Sequence, residues 1–418
     1  MADRTDAERT KRIRIVGNPT GGLSESILRL IWSERRISRA DIARNMNIAR
    51  STVSEAVMHL LPTGLVAELG PGESSGGRRP IVLEFQDDSC VILGVEMGAT
   101  HVSVALTNLR GRVLAWLDRP FPARNDPPGA RALIAELCAC CLDEVPDGLA
   151  RLVGIGIAVP CPVDPKEPDH LSEVVLPAWK GTSGFDEIGD RFGVPIAVDN
   201  DANLGALAEG WWGAGRGIDY FSYIKVATGV GCGHVIDGNI FRGATGVAGE
   251  IGHVAIDPQG GRCICGLRGC LATFVGAAAL VDRARELLPQ YPDGVLRGDV
   301  LTIERIEDAA LSGDALALHL AEVAADHLGI AIAGLLNLMN PSLVILGGGL
   351  ARLGELLLQP IRASVRHRTL VSSIAAAEIR TGELGKQAVS IGAATLVLKA
   401  ALEDPHLFPI GSTMQENR

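Results

Sequence analysis

Aromatic residues are scarce in this 418-residue sequence: Phe, Trp and Tyr make up 4% of it. A core must therefore rest on Ala, Val, Ile and Leu, and a hydrophobic content of 47% supplies enough of them. No run of 18 uninterrupted apolar residues occurs, and residues 1–14 are charged. Neither a membrane-spanning helix nor a secretory leader is expected, and the chain is read as cytoplasmic. A disulfide framework is lacking too. The nine cysteines are an odd number, six of them scattered (Cys90, Cys138, Cys140, Cys141, Cys161, Cys232) and three bunched. That usage points to reduced thiols and a metal. Nor is there an overall positive charge to hold nucleic acid, since the net charge is −10. Its distribution is uneven, however: residues 1–85 hold 13 Lys+Arg against 10 Asp+Glu, the remainder 26 against 39. A basic head on an acidic body suits a DNA-reading module joined to a ligand-binding one.

What is present begins with a helical trio. Residues 1–22 are charged, end in a glycine-rich stretch and read as a mobile arm. Ser24 is a reasonable N-cap for a first helix carrying Ile27, Leu28, Leu30 and Ile31. Ser38 followed by Asp41 resembles a capping box that opens a second helix to Asn45, with Ile42 and Met46 inward. A third helix is expected over 50–61, with Val53, Val57 and Leu60 on its buried face. Arg50, Ser51, Thr52 and Ser54 crowd its start. The second and third helices have the length of a helix-turn-helix, whose second helix enters the major groove N-terminus first. Those four side chains suit phosphates and base edges. Strands over 65–69 and 81–85 then flank a glycine-rich loop at 70–80 that carries Arg78 and Arg79. This is a wing with a basic tip able to enter a minor groove. A three-helix cap that binds protein is the alternative reading.

From residue 90 onward strands and helices alternate. Strands over 91–96, 102–107 and 113–117 precede a helix over 130–144, a strand over 152–159, a helix over 185–192 and a strand over 194–198. The theme returns with strands over 220–226 and 234–236, a long helix over 315–338, a strand over 343–346 and a helix from about 353. Two related α/β lobes with a cleft between them are expected. Glycine turns at Gly98 to Thr100, at Gly229 and Gly231, and at Gly347 and Gly348 would let backbone N–H groups approach a phosphate. Asp199, Asn200, Asp201 and Asn203 follow a strand. A carboxylate there can accept a hydroxyl proton in phosphoryl transfer, or the cluster can cap a helix.

The sharpest constellation is His253 with Cys263, Cys265 and Cys270. Zinc favours four tetrahedral Cys/His ligands, and Cys3His is a closed structural set that leaves no position for catalytic water. A structural Zn²⁺ is expected; three buried thiols beside an unrelated histidine are the alternative.

Together these residues resemble the ROK family of repressors and sugar kinases over about residues 24–400. The family's signature region is matched by Gly229, Gly231, Gly233, Gly238, Gly243, Gly246 and Gly249, ending in Glu250-Ile251-Gly252-His253, with the cysteine motif next. The N-terminal winged helix places the chain beside the family's repressors. The resemblance implies an actin-like, hexokinase-like two-lobed ATPase fold behind a winged helix-turn-helix. It implies sugar contacts from Asn200, Asp201, Glu250 and His253, with Asp201 at the catalytic-base position of the kinases. The expected division is an arm over 1–22, a DNA-binding domain over 23–86, a sensor over 90–402 and a tail over 403–418.

The departures are specific. Family kinases carry Asp-x-Gly-Gly-Thr-Lys in the first phosphate loop, where this chain has Glu96-Met97-Gly98-Ala99-Thr100-His101. Their Cys-Leu-Glu after the third zinc cysteine becomes Cys270-Leu271-Ala272, and Cys161 stands where the family has glycine. These changes bear harder on phosphoryl transfer than on sugar binding, so ATP and Mg²⁺ are not expected as cofactors. The expected function is a transcriptional repressor of carbohydrate genes that answers to a sugar. It would bind an inverted-repeat operator as a homodimer or homotetramer, with no membrane partner. The alternative is an active ATP-dependent sugar kinase with an appended DNA-binding head.

Overall fold

Local sequence accounts for the head. In the computed structural model, which describes residues 22–71, 81–298, 300–369 and 377–409, helix α1 (Leu23–Glu34) turns Ile27, Leu28 and Ile31 inward. Gly22, in extended backbone, takes the cap position, so Ser24 is a first-turn residue and not the expected cap. Strand β1 (Arg36–Ser38) is three residues long, too short to register as a sequence pattern. Ser38 Oγ accepts from the Asp41 N–H at 3.2 Å and donates to the Asp41 carboxylate at 2.6 Å, opening α2 (Arg39–Asn45) as a capping box does. Helix α3 (Arg50–Leu60) buries Val53, Ala56, Val57 and Leu60. Strands β2 (Val66–Pro71) and β3 (Ile81–Phe85) complete an antiparallel sheet of order β1-β3-β2. Arg78 and Arg79 of the expected wing tip, residues 1–21 and residues 410–418 lie outside the described residues.

The body uses one plan twice. Strands β4 (Val91–Met97), β5 (His101–Asn108) and β6 (Val113–Pro120) form an antiparallel meander. After α4 (Pro127–Asp143) comes β7 (Leu152–Val159), parallel to β4; after α5 (Asp186–Phe192) comes β8 (Ile196–Asn200), parallel to β7. Helix α6 (Asp201–Trp212) leads to the second lobe. There β9 (Phe221–Val226), β10 (Val230–Ile236) and β11 (Asn239–Phe241) are antiparallel. Helices α7 (Ala272–Val275), α8 (Ala277–Leu287), α9 (Ile303–Leu311) and α10 (Ala315–Met339) follow. Then β12 (Leu343–Gly347) runs parallel to β9, and past α11 (Glu355–Arg368) β13 (Glu378–Thr381) runs parallel to β12. The orders β6-β5-β4-β7-β8 and β11-β10-β9-β12-β13 are the same topology. Strands β4, β7, β9 and β12 are buried throughout, which is why β7 and β12 read as continuous apolar runs, broken in β4 by Glu96 and in β9 by Ser222 and Lys225.

Helix α12 (Ala388–Glu403) crosses back onto the first sheet. Gly94 and Gly156 admit it: a Cβ at either position would lie 1.9 Å from a carbonyl oxygen of this helix. One apolar cluster joins Ile31, Val57 and Phe85 of the head to Ile92, Leu398 and Phe408 of the body. Helix α10 is long and apolar enough, by length and composition, to cross a membrane. It packs on α11, with Leu320, Ala324, Leu328, Ile332 and Leu336 inside the second-lobe core.

Two boundaries differ from expectation in ways that matter. Strand β10 starts at Val230, so Gly231 is not a turn residue but sits opposite Lys225 in a ladder. Strand β8 runs on to Asn200, and α6 begins at the next residue.

Candidate functional site: an inter-lobe cleft and an exposed helix start

Asn200 and Asp201 reach the cleft because a strand ends and a helix starts between them. Asn200 is the cap of that helix: its Oδ1 accepts from the Ala202 and Asn203 N–H groups at 3.0 and 3.2 Å, and its Nδ2 donates to the Cys161 carbonyl at 3.1 Å. Behind them Asp199 is buried against Arg242, at 2.5 Å.

A cleft of about 810 Å³ is lined by Asn200, Asp201, Gly229, Gly231, Glu250 and His253, together with Gly98, His101 and Lys225. The four residues expected to contact sugar are thus brought together, with glycines from two of the three turns. The third turn is not in the lining. Gly347 instead leaves room for the Tyr223 hydroxyl, which would stand 2.0 Å from a Cβ there, and Gly348 packs on Val226. Thr100 is exposed and also outside the lining.

Charge in the cleft is organised around Lys225, a residue the sequence reading did not single out. The signal was available: a lone ammonium within the buried strand β9. Its Nζ donates to Glu96 Oε1 at 2.6 Å and to Asp201 Oδ2 at 2.7 Å. Burial disfavours the charge on Lys225, but Asp201 and Glu96 outweigh it and hold its pKa above the ordinary lysine range. Burial likewise works against ionised Glu96, yet Lys225 and then His101 hold its carboxyl down at about 2. The His101 ring, with Nε2 3.6 Å from Glu96, is pushed down by burial and raised on balance by that carboxylate. Glu250 is half-buried; burial and then the Asp201 charge push its carboxyl up to about 7. Burial pushes the Cys161 thiol up to about 12.

Next to the cleft wall lies a Cys3His group. His253 Nδ1 stands 3.4 Å from Cys263 Sγ, Cys265 Sγ stands 3.6 Å from Cys270 Sγ, and the four ligand atoms lie within 4.8 Å of one another. Tetrahedral bonds of about 2.3 Å to sulfur and about 2.0 Å to nitrogen require S···S near 3.8 Å and N···S near 3.5 Å. The group therefore fits a tetrahedral metal ion.

In the head, Arg50 and Ser51 are exposed at the start of α3, and Thr52 and Ser54 are half-exposed. Ser54 Oγ donates to the Arg50 carbonyl at 3.0 Å, so it is turned onto its own helix. Ala49 supplies no side-chain cap, which leaves the first-turn N–H groups open to an anion.

Three tryptophans join head to body. Trp32 of α1 lies 5.3 Å from Trp211 and 6.2 Å from Trp212, ring centre to ring centre. Its Nε1 donates to the Leu109 carbonyl at 3.1 Å, and the Arg110 guanidinium sits 4.6 Å over its ring while pairing with Asp87 at 2.7 Å. Trp212 Nε1 donates to Thr395 of α12 at 2.8 Å.

Fold and site together define a two-lobed, sugar-kinase-like body that carries a helix-turn-helix head. The model of the ROK family matches residues 92–400, and the chain belongs to that family. It is 31% identical over 383 residues to the xylose repressor of Caldicellulosiruptor bescii, covering 91% of this chain and 96% of that protein. A solved ROK family transcriptional regulator, a homologue of the E. coli MLC protein, matches with a TM-score of 0.75 at 28% identity, over 91% of this chain and 96% of its own. A ROK family glucokinase from Streptomyces griseus, solved with glucose and AMPPNP, matches with a TM-score of 0.66 at 30% identity. That match spans 73% of this chain and 98% of the kinase, whereas the regulators match over 91% of this chain.

Proposed function

We propose that this protein is a sugar-responsive transcriptional repressor whose cleft takes the sugar and whose helix-turn-helix head takes an operator. One observation carries the reading: helix α6 runs from the cleft to the head. Asp201, its first residue, lines the cleft, and Trp211 and Trp212, its last two, pack on Trp32. At 1.5 Å per residue its 12 residues span about 18 Å. It is buried from Ala202 to Glu209, so a push at one end is carried by close packing to the other. Signalling then requires that the sugar bind more tightly to one head position than to the other.

In this reading Asn200, Asp201, Glu250 and His253 contact the sugar. His253, Cys263, Cys265 and Cys270 hold a structural zinc, which braces the loop bearing His253 and supplies no open coordination position. Arg50, Ser51, Thr52 and Ser54, with Arg78 and Arg79 of the wing expected from the sequence, contact DNA. A two-fold oligomer mirrors an inverted-repeat operator. The protein is cytoplasmic and turns nothing over. It divides into a head over 23–86 and a sensor over 90–402.

The test titrates a DNA fragment from upstream of its own gene by fluorescence anisotropy against a sugar panel, with ATP turnover followed in parallel. A sugar that shifts operator affinity in the wild type and not in Glu250→Ala supports the proposal. Rapid ATP-dependent phosphorylation of a panel sugar would replace it with the kinase reading.

A further inference from the structure

Lys225 interrupts a strand whose neighbours Tyr223, Ile224 and Val226 are buried and apolar, and its own side chain is 9% exposed. An ammonium so placed must be paired. Both of its partners come from the other side of the cleft: Glu96 from β4 of the first sheet, Asp201 from the helix that leaves that sheet. His101 sets a second nitrogen 3.6 Å from Glu96.

In a kinase of this fold, this corner would have to organise a divalent cation with the donor phosphates. A cation such as Mg²⁺ binds carboxylate oxygens directly, at about 2.0–2.1 Å. Here an oxygen of each carboxylate is already within hydrogen-bond distance of one ammonium, which offsets one of their two negative charges. The residues present do not fit a bound Mg²⁺.

We infer that Lys225 is a resident counter-ion that fills the divalent-cation position, fixes Asp201 as an acceptor in the cleft and clasps one lobe to the other. Ligand binding at Asp201 then needs neither metal nor nucleotide. The ligand class is a neutral polyol that donates a hydroxyl to the remaining Asp201 oxygen. That last step rests on the sensor reading above; the cation step does not.

Mn²⁺ titration of zinc-loaded, full-length protein, followed by electron paramagnetic resonance, tests the cation step. Wild type is expected to show no Mn²⁺ site that Glu96→Gln removes. Lys225→Met uncovers both carboxylates and is expected to gain one site per chain, about tenfold or more tighter than any wild-type binding. The double variant Lys225→Met/Glu96→Gln should lose that site. A wild-type Mn²⁺ site abolished by Glu96→Gln overturns the inference, as does a folded Lys225→Met that binds no more Mn²⁺ than wild type. Should Lys225→Met not fold, the comparison of wild type with Glu96→Gln decides alone. Calorimetry of the wild type against xylose and glucose, with and without Mg²⁺ and a non-hydrolysable ATP analogue, tests the ligand step. Equal affinities in both conditions are expected, and a roughly tenfold dependence on nucleotide overturns it. Absence of sugar binding in either condition counts against the sensor reading and leaves the Mn²⁺ result standing.

Discussion

Glu250 and His253 face each other across one helical turn, Oε2 to Nε2, at 3.8 Å. The same imidazole turns Nδ1 to Cys263 Sγ at 3.4 Å. One ring thus borders both the Cys3His group and the cleft, and the two roles proposed for it can be separated by mutation. Cys263→Ser is expected to lose a stoichiometric zinc, seen by elemental analysis, and to melt at lower temperature, because structural zinc binding is coupled to folding. Glu250→Gln should keep the zinc and, at pH 8 where the Glu250 carboxyl is mostly ionised, weaken sugar binding by about 1.5–3 kcal/mol, the worth of a hydrogen bond to a charged group. Metal-free wild type with unchanged melting would sink the zinc assignment. Zinc loss in Glu250→Gln would show that the two roles are one.

Trp32 offers a test of coupling apart from ligand and DNA contacts. Trp32→Ala removes its ring contacts with Trp211 and Trp212 and the bond to the Leu109 carbonyl. A cost of about 3 kcal/mol in stability is expected for truncating a packed tryptophan. Operator binding without sugar should persist, since none of the proposed DNA contacts lies on α1. The sugar-induced change in operator affinity should shrink toward none, and Trp32→Phe should restore part of it. An undiminished sugar response in a folded Trp32→Ala, read by anisotropy, would rule out α6 as the carrier.

Local chemistry was legible in the sequence and cross-sheet chemistry was not. The Ser38–Asp41 box could be read because both partners lie within one turn. The Cys3His group could be read because three of its ligands are close in sequence and metal spacing is restrictive. The pairing of Lys225 with Glu96 joins residues 129 apart, so no local pattern announces it. Helix α6 was legible only at its start, where the Asp199–Asn203 cluster could be read as a cap; its length was not, because it is buried nearly all round and lacks the polar face that marks a surface helix. Gly231 was read as a turn because glycine marks turns more often than strands, whereas here it lies in β10 with Ala202 3.0 Å from where its Cβ would be.

The Lys225–Glu96 pair also sets a pH dependence whose sign can be inverted. The Glu96 carboxyl is held at about 2, below its ordinary 4.5. Its contribution to stability is therefore present above about pH 4.5 and lost as pH falls toward 2. Lys225→Met leaves burial as the main influence on Glu96, which raises its pKa and makes folding take up a proton. His101 lowers Glu96 and is raised by it, so it takes up the proton wherever Glu96 does not, and the sign is the same. At pH 8 the variant should be destabilised by about 3–5 kcal/mol, as when one partner of a buried pair is removed. It should regain stability on acidification from pH 8 to 5, where this pair gives wild type no such gain. Urea unfolding at a series of pH values reads the difference, and parallel profiles for the two proteins would contradict it. Lys225→Met/Glu96→Gln should recover much of the loss.

The start of α3 gives the most position-specific expectation. Arg50 and Ser51 are exposed there, above first-turn N–H groups that no side chain caps, whereas the Ser54 hydroxyl is spent on the Arg50 carbonyl. The four residues should therefore not contribute equally. Arg50→Ala should weaken operator binding and reduce the slope of log affinity against log salt by about 0.9, the signature of one lost phosphate contact. Ser51→Ala and Thr52→Ala should cost up to about 1–3 kcal/mol where the hydroxyl reads a base edge, and should then relax specificity at one base pair per half-site. Ser54→Ala should cost least. Arg78→Ala and Arg79→Ala, at the proposed DNA contacts between β2 and β3 in sequence, should flatten the salt dependence as Arg50→Ala does. Titrations at several salt concentrations, on the inverted repeat and on one with a single half-site scrambled, supply the readout. An equal loss from Ser54→Ala and Arg50→Ala would mean that α3 does not meet DNA by its N-terminus. Indifference to the scrambled half-site would rule out two-fold recognition.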